Sequence, residues 1–190
     1  MVDLNKLAQE IHEAAVKKGF WDVEDAENKH IAKMYSELSE ALQEDRMDRP
    51  MLYVDDIEIG DISTNPADFD GRKPEGIAAE LADFVMMVLD FAAAIGLDVQ
   101  SIIDLADKEF RGFALNDYKE MPLYKLVLEC HSALTEATLL KKITDLFTGM
   151  CIMICGVNMW LEQRGIDLWQ VIRLKMEYNK ARPPLHGRKY

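Results

Sequence analysis

The sequence predicts an all-α fold, a bundle of seven helices, on three observations. Apolar residues recur at helical spacing through most of the chain, glycine and proline are sparse at 10 and 6 of 190 residues, and one long segment, Met47 to Lys73, breaks the pattern. Apolar residues make up 49% of the chain, enough to core one domain over 1–190, read as two halves of about 1–118 and 119–190 sharing that core.

Leu4, Leu7, Ile11, Ala14 and Ala15 mark the first helix, which ends at the terminator Gly19. The second runs from about Asn28 to Arg46, with Ile31, Met34, Tyr35, Leu38 and Leu42 on its apolar side. Met47 to Lys73 carries two prolines, two glycines and six aspartates, and its alternating MLYVDDIEIGD reads as a small hairpin or an ordered loop. KPEG opens a third helix from about Pro74 to Ile95, with proline suited to the first turn, and GLD at Gly96 to Asp98 starts a fourth through about Phe113. Three more follow, at about Leu123 to Thr138, Lys141 to Gln163 and Asp167 to Ala181.

Composition narrows the function. A net charge of −12 argues against sequence-independent binding to a nucleic acid polymer or an anionic membrane, which need positive potential. An anionic substrate would need a cation as intermediary. The N-terminus alternates apolar and charged residues without a signal-peptide core. The most apolar window, Phe147 to Leu161, is shorter than the roughly 20 residues that span a bilayer, so a buried helix is expected there. Cys130, Cys151 and Cys155 lie in apolar helical context without zinc-type spacing and read as buried thiols in a reducing cytoplasm.

Two stretches repeat. AAIGLDVQSIIDL (Ala93 to Leu105) matches EQRGIDLWQVIRL (Glu162 to Leu174) at an offset of 69, and SELSEAL at Ser36 matches SALTEAT at Ser132 at an offset of 96. The longer offset is what the Met47 to Lys73 segment would produce if the second half lacked it. Gly-Ile/Leu-Asp is also a common helix junction, but the two matches together read as a degenerate tandem of one helical unit.

Glu37 and Glu40 form E-x-x-E, and Glu80 and Asp83 form E-x-x-D. Residues three apart share a helix face, so two such helices packed antiparallel would gather four carboxylates. Carboxylates gathered this way repel unless a hard cation such as Mg²⁺ or Mn²⁺ joins them. An isolated E-x-x-E is usually solvated surface. Here Leu81, Phe84, Val85, Val88 and Leu89 leave little polar width around Asp83, and Ala78, Ala79 and Ala82 permit close approach, which points Glu80 and Asp83 into a packed groove. At the C-terminus, Lys175, Asn179 and Arg182 share a face and suit phosphate oxygens, although a basic helix end also favours the macrodipole. His186, Arg188 and Lys189 extend this basic tail. At the repeat offsets Lys175, Asn179 and Arg182 fall on Ala106, Phe110 and Phe113. Glu80 and Asp83 fall on Gly149 and Ile152, and Glu37 on Ala133, while Glu40 keeps its counterpart in Glu136. Each half keeps what the other lacks, as one composite site per chain would require.

SELSEAL, KPEGIAAELADFV, EIHEAAVKKGFWD and GIDLWQVIRLKMEYNKARPPLHGRKY together resemble the MazG-like, all-α nucleoside triphosphate pyrophosphohydrolases, and the stretched, two-copy arrangement resembles the dimeric all-α dUTPases. The resemblance implies Mg²⁺, with Mn²⁺ as an alternative, on Glu37, Glu40, Glu80 and Asp83, and phosphate contacts from Lys175 and Asn179, which Arg182 would join. It also implies cleavage between the α- and β-phosphates of a (deoxy)nucleotide such as dUTP, dCTP or a non-canonical dNTP, in a homodimer or larger homo-oligomer. Many members carry E-E-x-x-E, whose extra glutamate is the proposed base; Ser36 occupies that position, so Glu37 is the first candidate. Trp21, with Phe20, is a candidate to stack on the base, against a core or interface role. The competing reading is a non-catalytic helical interaction module. A di-iron carboxylate bundle would need Glu-x-x-His pairs, and the chain has none.

Overall fold

The computed structural model describes residues 2–59, 71–105, 118, 120–139, 149–150 and 152–187. The fold is all-α: the described residues form helices α1 (Leu4–Lys17), α2 (Ala26–Arg46), α3 (Ile77–Ala94), α4 (99–105), α5 (Leu123–Leu139), α6 (Val157–Glu162) and α7 (Leu168–Lys180). Strands β1 (Tyr53–Val54) and β2 (Ile57–Glu58) pair antiparallel. Among the described residues, no helix is long and apolar enough to cross a membrane.

Local chemistry accounts for most boundaries. Asp3 accepts from the Lys6 amide to cap α1, and Asp167 accepts from Trp169 and Gln170 to cap α7. Within MLYVDDIEIGD, the described residues Tyr53 to Glu58 form a hairpin turning at Asp55 and Asp56, which both take left-handed φ values of 51° and 63° as a two-residue turn of this hand requires.

Two expected elements differ. Pro74 does not sit in the first turn of α3: Glu75 exchanges backbone hydrogen bonds of 2.9 Å with Tyr53, extending the hairpin, so the helix begins only at Ile77. Gly76 makes that corner with φ 104°, and a Cβ there would lie 2.7 Å from the Pro50 carbonyl oxygen. The helix expected over Lys141 to Gln163 is not uniformly α, because Ile152–Gly156 is a π-helical turn ahead of α6. The part of that expected helix before Gly149, the expected continuation of the fourth helix to Phe113, the middle of the Met47 to Lys73 segment, Cys151, Arg188 and Lys189 lie outside the described residues.

Helix α3 is the centre of the molecule. Leu81, Phe84, Val85 and Leu89 are fully buried, and α3 packs against α1, α2, α7 and the π-helical turn. Leu7 and Ile11 of α1, Met34 and Leu38 of α2, and Leu168 and Ile172 of α7 complete the core with Leu126 and Cys130 of α5. Cys130 is buried as expected, whereas Cys155 is only partly so.

The repeated stretches have matching local geometry. At the first junction Leu97 donates to the Ala92 carbonyl at 2.9 Å and Gly96 has φ 72°; at the second Ile166 donates to Leu161 at 3.0 Å and Gly165 has φ 74°. Ser39 Oγ donates to the Tyr35 carbonyl on α2, and the corresponding Thr135 Oγ1 donates to that of His131 on α5. Tyr35 and His131, which correspond at the offset of 96, pack their rings 5.3 Å apart.

Candidate functional site

The site forms where α2 crosses the N-terminal half of α3. The helices run in opposite directions, since His30 meets Asp90 at one end and Glu40 lies beside Glu80 at the other. One carboxylate oxygen from each of Glu37, Glu40 and Glu80 falls within 4.8 Å of the others. Glu40 is exposed, and Glu37 and Glu80 are 9% and 6% exposed.

Burial, then the charges of Asp83, Glu40 and Glu80, push the Glu37 carboxyl up to about 8, although Lys33 opposes them. Burial likewise pushes Glu80 up to about 7, against the nearby Lys175 ammonium. Withdrawal from water is the largest part of this effect, and the nearby lysine charges offset it only in part.

Asp83 stands apart from that group of three. Its Oδ2 lies 2.6 Å from Lys175 Nζ, and this ammonium, 2% exposed, also donates to the Pro74 carbonyl at 3.3 Å. Burial alone would lower the lysine; Asp83 and Glu80 more than offset it and hold it above its ordinary value. The expected set of four carboxylates is therefore three that converge and one engaged by an internal cation.

A cavity of about 910 Å³ opens over this cluster. Glu37, Glu40, Glu80 and Asp83 line it together with Lys175, Asn179 and Arg182, so the acidic and basic candidates share one space. Arg182 NH1 donates to Asn179 Oδ1 at 3.3 Å, and Lys18 Nζ donates to the Arg182 carbonyl, fastening the end of α7 to the end of α1. The chain beyond α7 folds back as a short 3-10 turn, Pro184–Gly187, and packs His186 edge-on against Phe20 at 4.9 Å.

Trp21 does not line this cavity. Its indole stacks on His30 at 4.2 Å and its Nε1 donates to Asp90, so the ring is held against the protein, and Phe20 is the aromatic residue on the cavity wall. Asp90 and His30 also line it and escaped the sequence reading. The available signal was a lone aspartate in the apolar run FVMMVLDFAAA, seven residues beyond Asp83 on the same helix face.

In the second half, a Cβ on Gly149 would lie 3.0 Å from the Ala133 carbonyl oxygen. At the sequence offsets these positions match Glu80 and Glu37, so where those two set carboxylates between helices, Gly149 closes on the Ala133 backbone. Ser132 still donates to Glu136 at 3.2 Å, as Ser36 does to Glu40 at 2.9 Å.

Three convergent carboxylates, two of them buried, suit a hard divalent cation through oxygen ligands. No protein-family model, curated protein or solved structure matches the chain.

Proposed function

We propose that the chain is a Mg²⁺-dependent nucleoside triphosphate pyrophosphohydrolase that releases pyrophosphate and a nucleoside monophosphate, with Mn²⁺ an alternative ion. The observation that carries this reading is the convergence of Glu37, Glu40 and Glu80 on one cavity that Asn179, Arg182 and Lys175 also line. The resemblance to MazG-like enzymes, read from the same residues, points the same way.

Glu37, Glu40 and Glu80 would hold the ion. A divalent ion there supplies charge neutralisation for the triphosphate and lowers the pKa of a bound water. Water adds to the α-phosphorus, the bond from that phosphorus to the oxygen bridging to the β-phosphorus breaks, and the electron pair leaves on pyrophosphate. Glu37 takes the water proton. Asn179 and Arg182 orient the leaving phosphates, and Lys175 adds positive charge from behind Asp83. A cytoplasmic nucleotide pool is the setting that fits such a substrate.

A second reading, a helical interaction module or a homo-oligomer interface, draws on Tyr124 and Leu128, which lie one turn apart on α5 and are 54% and 62% exposed. One screen separates the readings: pyrophosphate release from ribo- and deoxynucleoside triphosphates with Mg²⁺ and with Mn²⁺. Hydrolysis that EDTA and Glu80→Gln both abolish is the expected result; inertness toward every nucleotide would leave the interaction module.

A further inference from the structure

The polar groups that the proposed reaction leaves unused converge on Asp90. This carboxylate is 4% exposed, and it accepts from His12 Nδ1 at 2.7 Å, His30 Nε2 at 2.8 Å and Trp21 Nε1 at 3.0 Å. A carboxylate can only accept here, so each partner nitrogen carries the hydrogen. The donors come from α1, from the turn after it and from α2, and the Trp21 ring lies flat on His30. One side chain of α3 thus holds three preceding segments.

The cluster is not a second ion site. Both imidazoles point their bonded nitrogens at the carboxylate, and among the described residues the one group of ligand atoms within 4.8 Å of one another is that of Glu37, Glu40 and Glu80.

Its position relative to that group gives it a role. Asp90 lies seven residues beyond Asp83 on α3, and His30 lies seven residues before Glu37 on α2. Seven residues are about two helical turns, so the Asp90 rung sits on the same face as the carboxylates, roughly 10 Å along the helix pair. At the carboxylate end, one oxygen from each of Glu37, Glu40 and Glu80 falls within 4.8 Å of the others across the same helix pair. At the other end Asp90 draws α1, the turn and α2 onto α3. Because both ends belong to the same two helices, a change of spacing at the Asp90 end would be carried to the separation of Glu37 from Glu80.

We propose that Asp90 is a positioning residue: through His12, Trp21 and His30 it holds α2 at the distance from α3 at which Glu37, Glu40 and Glu80 share one divalent ion. This inference rests on the ion-binding reading above. Groups that orient metal ligands from behind typically alter affinity by roughly 10- to 100-fold.

The test is Mn²⁺ titration of the full chain without nucleotide, with helical content and unfolding midpoint measured in parallel. Asp90→Asn and His30→Leu should each weaken Mn²⁺ binding by about tenfold or more with helical content retained. His30→Gln, whose amide can still donate to Asp90, should restore most of the affinity. A merely structural clasp would lower the unfolding midpoint and leave the affinity of the folded chain unchanged, and that result overturns the proposal. Should Asp90→Asn fail to fold, the His30→Leu and His30→Gln pair decides by the same criterion. A wild-type chain that binds no Mn²⁺ overturns the ion reading itself and this inference with it, whereas wild-type binding matched by both disruptive variants overturns this inference alone.

Discussion

Lys175 Nζ lies 2.6 Å from Asp83 Oδ2, joining α7 to α3 inside a cluster of carboxylates. The two residues are 92 positions apart, and the ammonium is almost wholly buried. It supplies an internal positive charge where three further carboxylates gather. Replacing Lys175 by Met should therefore cost about 1–3 kcal/mol, because the Asp83 carboxylate left behind is a quarter exposed and water reaches it. Adding Asp83→Asn should recover part of the loss, because the uncompensated charge goes with it. Urea unfolding of the ion-free chain near neutral pH measures both; equal midpoints for the wild type and Lys175→Met would mean that the pair holds nothing.

Stability of the ion-free protein should fall as pH rises. Glu37 and Glu80 are pushed up to about 8 and 7 from an ordinary 4.5, so the folded chain retains protons that the unfolded chain has lost. Their contribution is complete below the unfolded value and disappears as pH climbs through about 7 and then 8. Unfolding midpoints at a series of pH values in EDTA should decline across that window, and Glu37→Gln should flatten the decline. Divalent ion should raise the midpoint more at the alkaline end, since binding displaces protons. A flat profile in EDTA would contradict the burial of these groups.

Glu80→Gln should separate stability from function. The amide removes a buried carboxyl whose ionisation is disfavoured, so the ion-free variant should melt a few degrees higher near pH 8, about 2–4 °C per kcal/mol for a chain of this size. The same change deletes one of three convergent oxygens, so the stabilisation that Mn²⁺ gives the wild type should be lost, together with any pyrophosphate release. Differential scanning calorimetry with and without Mn²⁺ reads both effects in one experiment.

Gly76→Ala should be more damaging than Gly96→Ala, although both glycines have positive φ. At Gly96 a Cβ meets nothing within 4 Å, leaving only the left-handed backbone cost of roughly 1–2 kcal/mol. At Gly76 the same atom meets two backbone carbonyl oxygens, from Pro50 and Met51, at 2.7 and 2.8 Å. Because Gly76 caps the helix that carries Glu80, a weakened ion response should accompany its lower denaturation midpoint. Equal midpoints for the two variants would argue that the corner relaxes freely.

Some of the site was legible from spacing alone. Glu37 and Glu40 share a face because they are three residues apart, and so do Glu80 and Asp83; nothing beyond helical periodicity is needed. Lys175, Asn179 and Arg182 reach the same cavity for the same reason. Asp83 was harder to read, since its engagement by Lys175 depends on which face of α7 meets α3. For Trp21 the sequence left base stacking and a core or interface role both open, and only its stacking on His30 and its bond to Asp90 show the ring held against the protein. Pro74 misled: a proline suited to a first turn was displaced by the pairing of Glu75 with the hairpin.

Local periodicity, caps and turn residues were enough to specify an all-α chain with its helices in order, because those signals act over a few residues and cooperate within each segment. Which carboxylates converge, which cation lies among them and which aspartate clasps three elements depended on the rotation and contact of helices far apart in sequence. That choice follows from burying the apolar faces around α3, and the polar groups are carried along to wherever the packing takes them.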